Sequence, residues 1–243
     1  MPYAGGMDAD ADITGIAALL ADPARVAMLD ALLGGRVRSA GELARCASVT
    51  APTASAHLRR LLDGGLVAVE AQGRHRYYRL AGPAVAEAME ALCLLAPTRP
   101  VRSLRQSQQA QALRFARTCY DHLAGAVGVA MADALLRAAL RPVGDRAYDL
   151  TTRGERLLGD LGVDVAELRR QRRAFARHCL DWTERSPHLS GALGAALLAR
   201  LLDLGWLRRG RVPRGLVLTE AGRAGLVGVV GCEPATLQDP AGG

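Results

Sequence analysis

The segment from Arg38 to Leu80, RSAGELARCASVTAPTASAHLRRLLDGGLVAVEAQGRHRYYRL, constrains the fold more than any other stretch of this chain. Ser39 followed three residues later by Glu42 is a capping box, so a short helix is expected there, amphipathic through Ala40, Leu43, Ala44 and Ala47. Thr50, followed by Ala51, Pro52 and Thr53, caps a second helix that runs through Leu58, Leu61 and Leu62 and stops at Gly64-Gly65. The turn at Ser48-Val49 joins the two. Beyond them, the β-prone runs Leu66 to Val69 and Tyr77 to Leu80 flank Gln72-Gly73-Arg74-His75-Arg76, a hairpin tip with two arginines and a histidine. Helix, turn, helix and basic wing present one helix and one hairpin tip to a duplex, and double-stranded DNA is the expected partner.

Two further helices precede this segment. Ile13 to Leu20 has an apolar face and stops near Asp22-Pro23; the pattern restarts at Pro23 with Val26, Met28, Leu29, Leu32 and Leu33 and closes at Gly34-Gly35. At 243 residues, half of them hydrophobic, the chain has room for one or two domains with real cores. No apolar run approaches the roughly 18 to 20 residues of a membrane span. The start MPYAGGMDADAD lacks a signal-peptide pattern, so a soluble cytoplasmic protein with no membrane partner is expected. Cys46, Cys93, Cys119, Cys179 and Cys232 are scattered, odd in number and form no CxxC pair, which reads as reduced thiols and not a disulfide framework.

Net charge is +7, and all 31 basic residues are arginine. Residues 1 to 96 carry 9 Arg against 10 acids, whereas 97 to 243 carry 22 against 14, so bulk charge alone does not point to the DNA-binding part. Within Arg38 to Leu80, however, seven Arg oppose only Glu42, Asp63 and Glu70. Local excess of that kind suits phosphate contact.

DPARVAMLDALL, GELA, TAPTASAHLRRLLDGGLV and GRHRYYRL together resemble the winged helix-turn-helix of the ArsR/SmtB family of bacterial transcriptional repressors, over about Ile13 to Ala96. The resemblance implies a homodimer, with the first helix and Pro83 to Ala96 supplying much of the interface, on a pseudo-palindromic operator. It also implies groove-facing positions at Ala51, Pro52, Ser55 and Ala56, backbone positions at Thr50, Thr53, Arg59 and Arg60, and wing contacts from Arg74, His75 and Arg76. His57 either joins the DNA-facing set or packs beneath the helix. Alanine and proline offer no hydrogen bonds to bases, so direct readout is expected to be sparse, with shape readout by the wing arginines.

Relatives that sense metals through this domain carry a Cys-x-Cys pair after Glu-Leu, or Asp and His ligands on its last helix. Here Glu42-Leu43-Ala44-Arg45-Cys46 keeps one cysteine, and Pro83 to Ala96 has neither His nor Asp. Both sites are incomplete. Cys46 and Cys93 are left as core thiols or as a dithiol switch.

The second half contains an internal repeat. RFARTCYD from Arg114 matches AFARHCLD from Ala174, HLAGAVGVAMADALLRAAL from His122 matches HLSGALGAALLARLLDLGWL from His188, and YDLTTRGERLL from Tyr148 matches LVLTEAGRAGL from Leu216. Each copy is expected to read helix, helix, strand-like turn, helix, giving two winged-helix-like units, with the connecting helix running from about Ser103 toward Asp121. Glycine at i and i+3 inside an apolar helix costs roughly 1 kcal/mol each. The equivalent pairs Gly125/Gly128 and Gly191/Gly194 are therefore expected to permit close helix-to-helix approach or to leave space for a ligand. The run Arg169-Arg170-Gln171-Arg172-Arg173 is expected on a helix, and Trp182 and Trp206 in the core or lining a pocket.

The repeat equates Cys119 with Cys179, Asp121 with Asp181 and His122 with His188. Two cysteines and two histidines are the right types for a tetrahedral soft-metal site, and equally for core thiols and capped histidines. Cys119, His122, Cys179, Asp181, Trp182 and His188 are the candidate effector-binding residues, for a small molecule, a metal or metalloid, or thiol redox chemistry. A cysteine-dependent enzyme lacks a strained nucleophile turn, an oxyanion element or a phosphate loop, so no enzyme is expected. A protein-binding scaffold is disfavoured by the basic wing. The expected architecture is mainly α with small β-hairpins: a tail over 1–12, a winged helix-turn-helix DNA-binding and dimerisation domain over 13–96, a linker over 97–108, a duplicated sensing domain over 109–231 with repeats at about 109–165 and 166–231, and a tail over 232–243.

Overall fold

A computed structural model describes residues 13–73, 75–97 and 100–237. They form two compact units, residues up to 32 with 36–82, and 33–35 with 83 onward.

In the first unit, α1 (Ile13–Leu20), α2 (Pro23–Leu32), α3 (Ala40–Cys46) and α4 (Ala51–Asp63) are followed by β2 (Val67–Gln72) and β3 (His75–Leu80). A short β1 (Arg38–Ser39) pairs with β3, making a three-stranded antiparallel sheet of order β1-β3-β2. The capping box forms: the Ser39 hydroxyl accepts from Glu42 N–H, and the Glu42 carboxylate accepts from Ser39 N–H at 2.8 Å. Met28, Leu29, Leu32, Leu43, Leu58 and Leu61 meet in the core. Truncating such a leucine to alanine costs about 2–5 kcal/mol, so this core fixes the orientation of α4. The wing strands run further than expected, β2 through Gln72 and β3 from His75, into the stretch the sequence suggested as a five-residue loop.

The second unit begins with α5 (Pro83–Leu95), which the sequence assigns to the DNA-binding domain. The reason lies in Glu90, 2 % exposed, which pairs with Arg214 and lies 3.7 Å from Arg117. A buried carboxylate needs those cations, and both belong to this unit. Next comes α6 (Leu104–Phe115), capped by Ser103, which accepts from Gln106 N–H at 3.2 Å. It stops at Phe115, short of Asp121, because the chain turns into a hairpin of β4 (Arg117–Cys119) and β5 (His122–Ala124).

From there each repeat runs hairpin, helix, wing, helix. Copy one is β4-β5, α7 (Ala126–Ala138), β6 (Leu140–Val143) with β7 (Ala147–Leu150), and α8 (Thr152–Asp160). Copy two follows α9 (Val165–Arg170) with β8 (Arg177–Leu180) and β9 (Pro187–Ser190), α10 (Gly191–Asp203), β10 (Leu207–Arg209) with β11 (Leu216–Leu218), and α11 (Glu220–Gly225). In both, the Thr-x-x-Gly motif does the same thing: Thr151 caps α8 and Thr219 caps α11, accepting from Gly154 and Gly222 N–H.

The copies exchange edges. Tyr148 and His178 donate to Ala176 and Arg146 carbonyls at 3.0 and 3.1 Å, joining the first wing to the second hairpin; Leu216 and Thr118 donate to Ala116 and Arg214 carbonyls at 2.9 Å, joining the second wing to the first hairpin. Under the repeat these bonds are pairwise equivalent. A continuous core of Leu123, Val127, Met131, Leu193, Leu197 and their neighbours fills the space between.

Three expectations change. The glycine pairs serve close approach to neighbouring backbone and not packing of α7 on α10: at Gly125 and Gly191 (φ +80° and +85°) a Cβ would lie 2.6 and 2.7 Å from the Arg114 and Ala174 carbonyl oxygens, just before each hairpin, and at Gly128 and Gly194 it would lie 2.7 and 2.5 Å from those of Leu123 and Leu189 in the hairpins. The arginine run leaves helix after Arg170. Residues 232–237 pack as structure where a tail was expected, with Cys232 and Leu237 buried. The expected tail segments 1–12 and 238–243 lie outside the described residues, as do Thr98 and Arg99 of the linker.

Candidate functional site

The residues expected to meet DNA form one exposed surface of the first unit. On α4, Ala54, Leu58 and Leu61 face the core, and Ala51, Pro52, Thr53, Ser55, Ala56, Arg59 and Arg60 are exposed, as is the cap Thr50. Thr50 Oγ1 and Thr53 Oγ1 lie 2.8 Å apart, and the Ser55 hydroxyl donates to the Ala51 carbonyl at 3.0 Å while keeping its acceptor side. His57 is half-buried with Nδ1 sheltered from solvent and without a hydrogen-bond partner, so it belongs in part beneath the helix. His75 and Arg76 stand exposed on the wing; Arg79, by contrast, is held by Glu70 across the hairpin at 2.7 Å. Arg74 lies outside the described residues. Cys46 is exposed on the first unit and Cys93 half-buried in the second.

The second unit gathers the other candidates. Cys119 faces His122 across the first hairpin and Cys179 faces His188 across the second, in matching registers. One ligand atom from each of the four lies within 4.8 Å of every other. The two Sγ atoms are 3.9 Å apart and the two imidazole rings 5.1 Å apart between centroids. The cluster residues therefore sit on strands and not on the helices expected for them. Helix packing crosses between copies, α7 lying against β9 and α10 against β5. At Gly194 a Cβ would come within 3.2 Å of the His122 Cβ. That glycine makes room for the opposite copy's histidine.

Behind each histidine stands the aspartate of its repeat. His122 Nδ1 is 3.2 Å from Asp121, and His188 Nδ1 is 3.2 Å from Asp181. Nε2 of both rings, and Nδ1 of His188 despite its proximity to Asp181, are buried without a hydrogen-bond partner. Burial works to raise the Asp181 carboxyl, but His188, Arg117, Thr183 and the Gly125 N–H outweigh it and hold it well below the usual carboxylate range. At Asp121 burial is likewise outweighed, here by His122 and Arg173. Against the cost of its burial, Asp181 and Cys179 raise His188. The hydrogen bond with Cys179, aided by burial, raises the Cys119 thiol, and the same bond, aided by His122 and His188 against burial, lowers Cys179.

Asp181 and Trp182, both singled out by the repeat, separate in role. Asp181 is fully buried, paired with Arg117 at 3.0 Å; Trp182 is half-buried, its ring 4.9 Å from the Arg117 guanidinium carbon. Sequence reasoning did not find Glu90, Arg117 and Arg214, the charges that anchor this region. The signal for Arg117 was present, since it is the arginine of the repeated Phe-Ala-Arg motif. A small cleft lined by Glu87, Cys119, Asp121, His122, Arg173 and Ser190 opens onto the cluster.

No helix among the described residues is long and apolar enough to cross a membrane. Residues 20–70 match a family described as a helix-turn-helix domain. A curated relative, an uncharacterized HTH-type transcriptional regulator, YdfF of Bacillus subtilis, is 45 % identical over 212 residues, covering 87 % of this chain and 94 % of its own. A match of that length cannot be confined to the helix-turn-helix. Among solved structures, the homodimeric winged helix-turn-helix DNA-binding domain of a possible ArsR-family regulator from Mycobacterium bovis is 28 % identical over 41 % of this chain and 99 % of that one, with a TM-score of 0.35. The cadmium metal-sensor CMTR of Mycobacterium tuberculosis is 32 % identical over 38 % and 99 %, with a TM-score of 0.30. With a helix-turn-helix match near its N-terminus and a relative matched across both units, this chain belongs to the HTH-type, DNA-binding transcriptional regulators.

Proposed function

We propose that the protein is a repressor that binds a pseudo-palindromic operator as a homodimer and is controlled by a ligand taken up in its second unit. The observation that carries the DNA-binding mode is the division of α4: its apolar face is consumed by the core, and every position assigned to groove or phosphate, from Thr50 to Arg60 apart from the half-buried His57, is exposed. Arg59 and Arg60 form no ion pair among the described residues, which leaves both guanidinium groups for phosphates. Ile13 on α1 of the first unit and Leu95 on α5 of the second are each exposed, as positions in a dimer contact would be. Ligand control in the second unit is favoured by its converging polar groups and by the incomplete metal motifs of the first. Such control requires an effector with different affinity for the DNA-competent and DNA-incompetent states.

The test is selection of duplex sequences by the full chain, followed by mass measurement of the complex. The expected product is an inverted repeat occupied by two chains, with Ser55→Ala relaxing preference at one position per half-site by less than about tenfold. Selection of no motif, or binding of one chain per duplex, contradicts this reading.

A further inference from the structure

We infer that Cys119, His122, Cys179 and His188 form a tetrahedral site for a borderline-soft d10 cation of the zinc class, contributed half by each repeat. This rests on the regulator reading only in supplying the ligand that the second unit would sense.

Geometry argues first. Metal–sulfur bonds of about 2.3 Å place two thiolates roughly 3.8 Å apart at tetrahedral angles, and the two Sγ atoms stand 3.9 Å apart. A disulfide requires about 2.0 Å. All four ligand atoms fall within 4.8 Å of one another, inside the span that contraction onto one ion would close.

The surroundings argue second and independently. A histidine that ligates through one nitrogen is commonly fixed by a carboxylate at the other. Nδ1 of His122 is hydrogen-bonded to Asp121 at 3.2 Å, Asp181 stands 3.2 Å from Nδ1 of His188 without completing a hydrogen bond, and each ring's Nε2 is left buried and unpartnered. His122 and His188 are 4 % and 1 % exposed, so no water shell compensates those nitrogens. The aspartates are in turn neutralised, Asp121 by Arg173 and Asp181 by Arg117. Two thiolates and two neutral imidazoles then balance a divalent charge, which suits a site this deep.

Symmetry argues third. Each Cys–His pair is a cross-strand pair at the same register of an equivalent hairpin, and Gly194 admits His122 from the other copy. Duplication thus turns a two-ligand half-site into a four-ligand one, completed only when the repeats pack.

The experiment titrates full-length protein, reduced with a phosphine and free of oxygen, with Co2+. One equivalent per chain is expected to give thiolate-to-cobalt charge transfer and the intense visible bands of tetrahedral Co2+, displaced by one equivalent of Zn2+. Asp121→Asn, which keeps all four ligands, should weaken the ion by about 10- to 100-fold. Cys179→Ser should abolish the charge-transfer band from that sulfur, with circular dichroism and thermal melting verifying the fold. Absence of tetrahedral bands in folded wild type, or equal binding by folded Cys179→Ser, overturns the site. DNA binding measured on the same samples separates the two claims. Duplex affinity without a cobalt spectrum defeats the metal site alone, and a cobalt spectrum without duplex affinity in any metal state defeats the regulator reading alone.

Discussion

Cys119 and Cys179, 60 positions apart in equivalent places of two repeats, bring their sulfurs to within 3.9 Å. Neither hairpin alone gives the cluster more than one thiol and one imidazole, since His178 of the second hairpin is not among its four residues. The packing of the repeats and the assembly of the cluster are therefore one event, and a change that loosens one should loosen the other.

Gly191 tests that coupling. Its φ of +85° and the 2.7 Å approach of a would-be Cβ to the Ala174 carbonyl leave no place for a side chain. Gly191→Ala is expected to destabilise the second unit by at least about 1 kcal/mol. Gly159→Ala, on α8 with open space around it, should instead be neutral or stabilise by up to about 1 kcal/mol. Thermal denaturation of the two variants should shift in opposite directions or leave Gly159→Ala unmoved; equal losses would refute the close-approach argument.

Arg59 and Arg60 are expected to act on phosphates and not on bases. Arg59→Ala with Arg60→Ala should weaken binding to all duplexes alike and reduce the slope of log affinity against log salt by about 0.9 for each phosphate that is no longer neutralised. A change in sequence preference with an unchanged slope would place them in base readout instead. Arg76→Ala should behave in the same way from the wing.

Glu42 carries a pH dependence of known sign. The Ser39 N–H and hydroxyl, both bonded to its carboxylate, lower its pKa below the ordinary value of 4.5. A lowered folded pKa means that the stabilisation is present above about pH 4.5 and is lost as pH falls through the folded value. Glu42→Ala should cost about 1 kcal/mol at neutral pH, seen as faster amide exchange across Ala40–Cys46, and the difference from wild type should shrink in acid. A gap that widened in acid would contradict the capping role.

The first unit was largely legible in the sequence because its instructions are local. Ser39 with Glu42, Thr50 with Pro52, and Gly64-Gly65 each act within one turn, and the helices begin and end close to them. The second unit was legible as a repeat but not as elements. Arg114 to Cys119 has a helix-compatible composition, and what makes β4 extended is pairing with β5 and with the second wing, a tertiary decision no local pattern carries. For the same reason the repeat could single out Cys119, His122, Cys179 and His188 as equivalent pairs but not their placement on strands instead of helices. Nothing local in the sequence singles out Glu90. Its burial depends on Arg117 and Arg214, 27 and 124 positions away in the chain.

An ion held by the two repeats is expected to alter the affinity of α4 and the wing for DNA. Fluorescence anisotropy of the selected operator, with wild type and Cys179→Ser each measured without metal and at saturating Zn2+, tests this coupling most directly. The expected result is a change in wild-type Kd of at least about fivefold, none in Cys179→Ser, and an equal reciprocal effect of DNA on Zn2+ affinity. Identical wild-type affinities at zero and full zinc occupancy would contradict it.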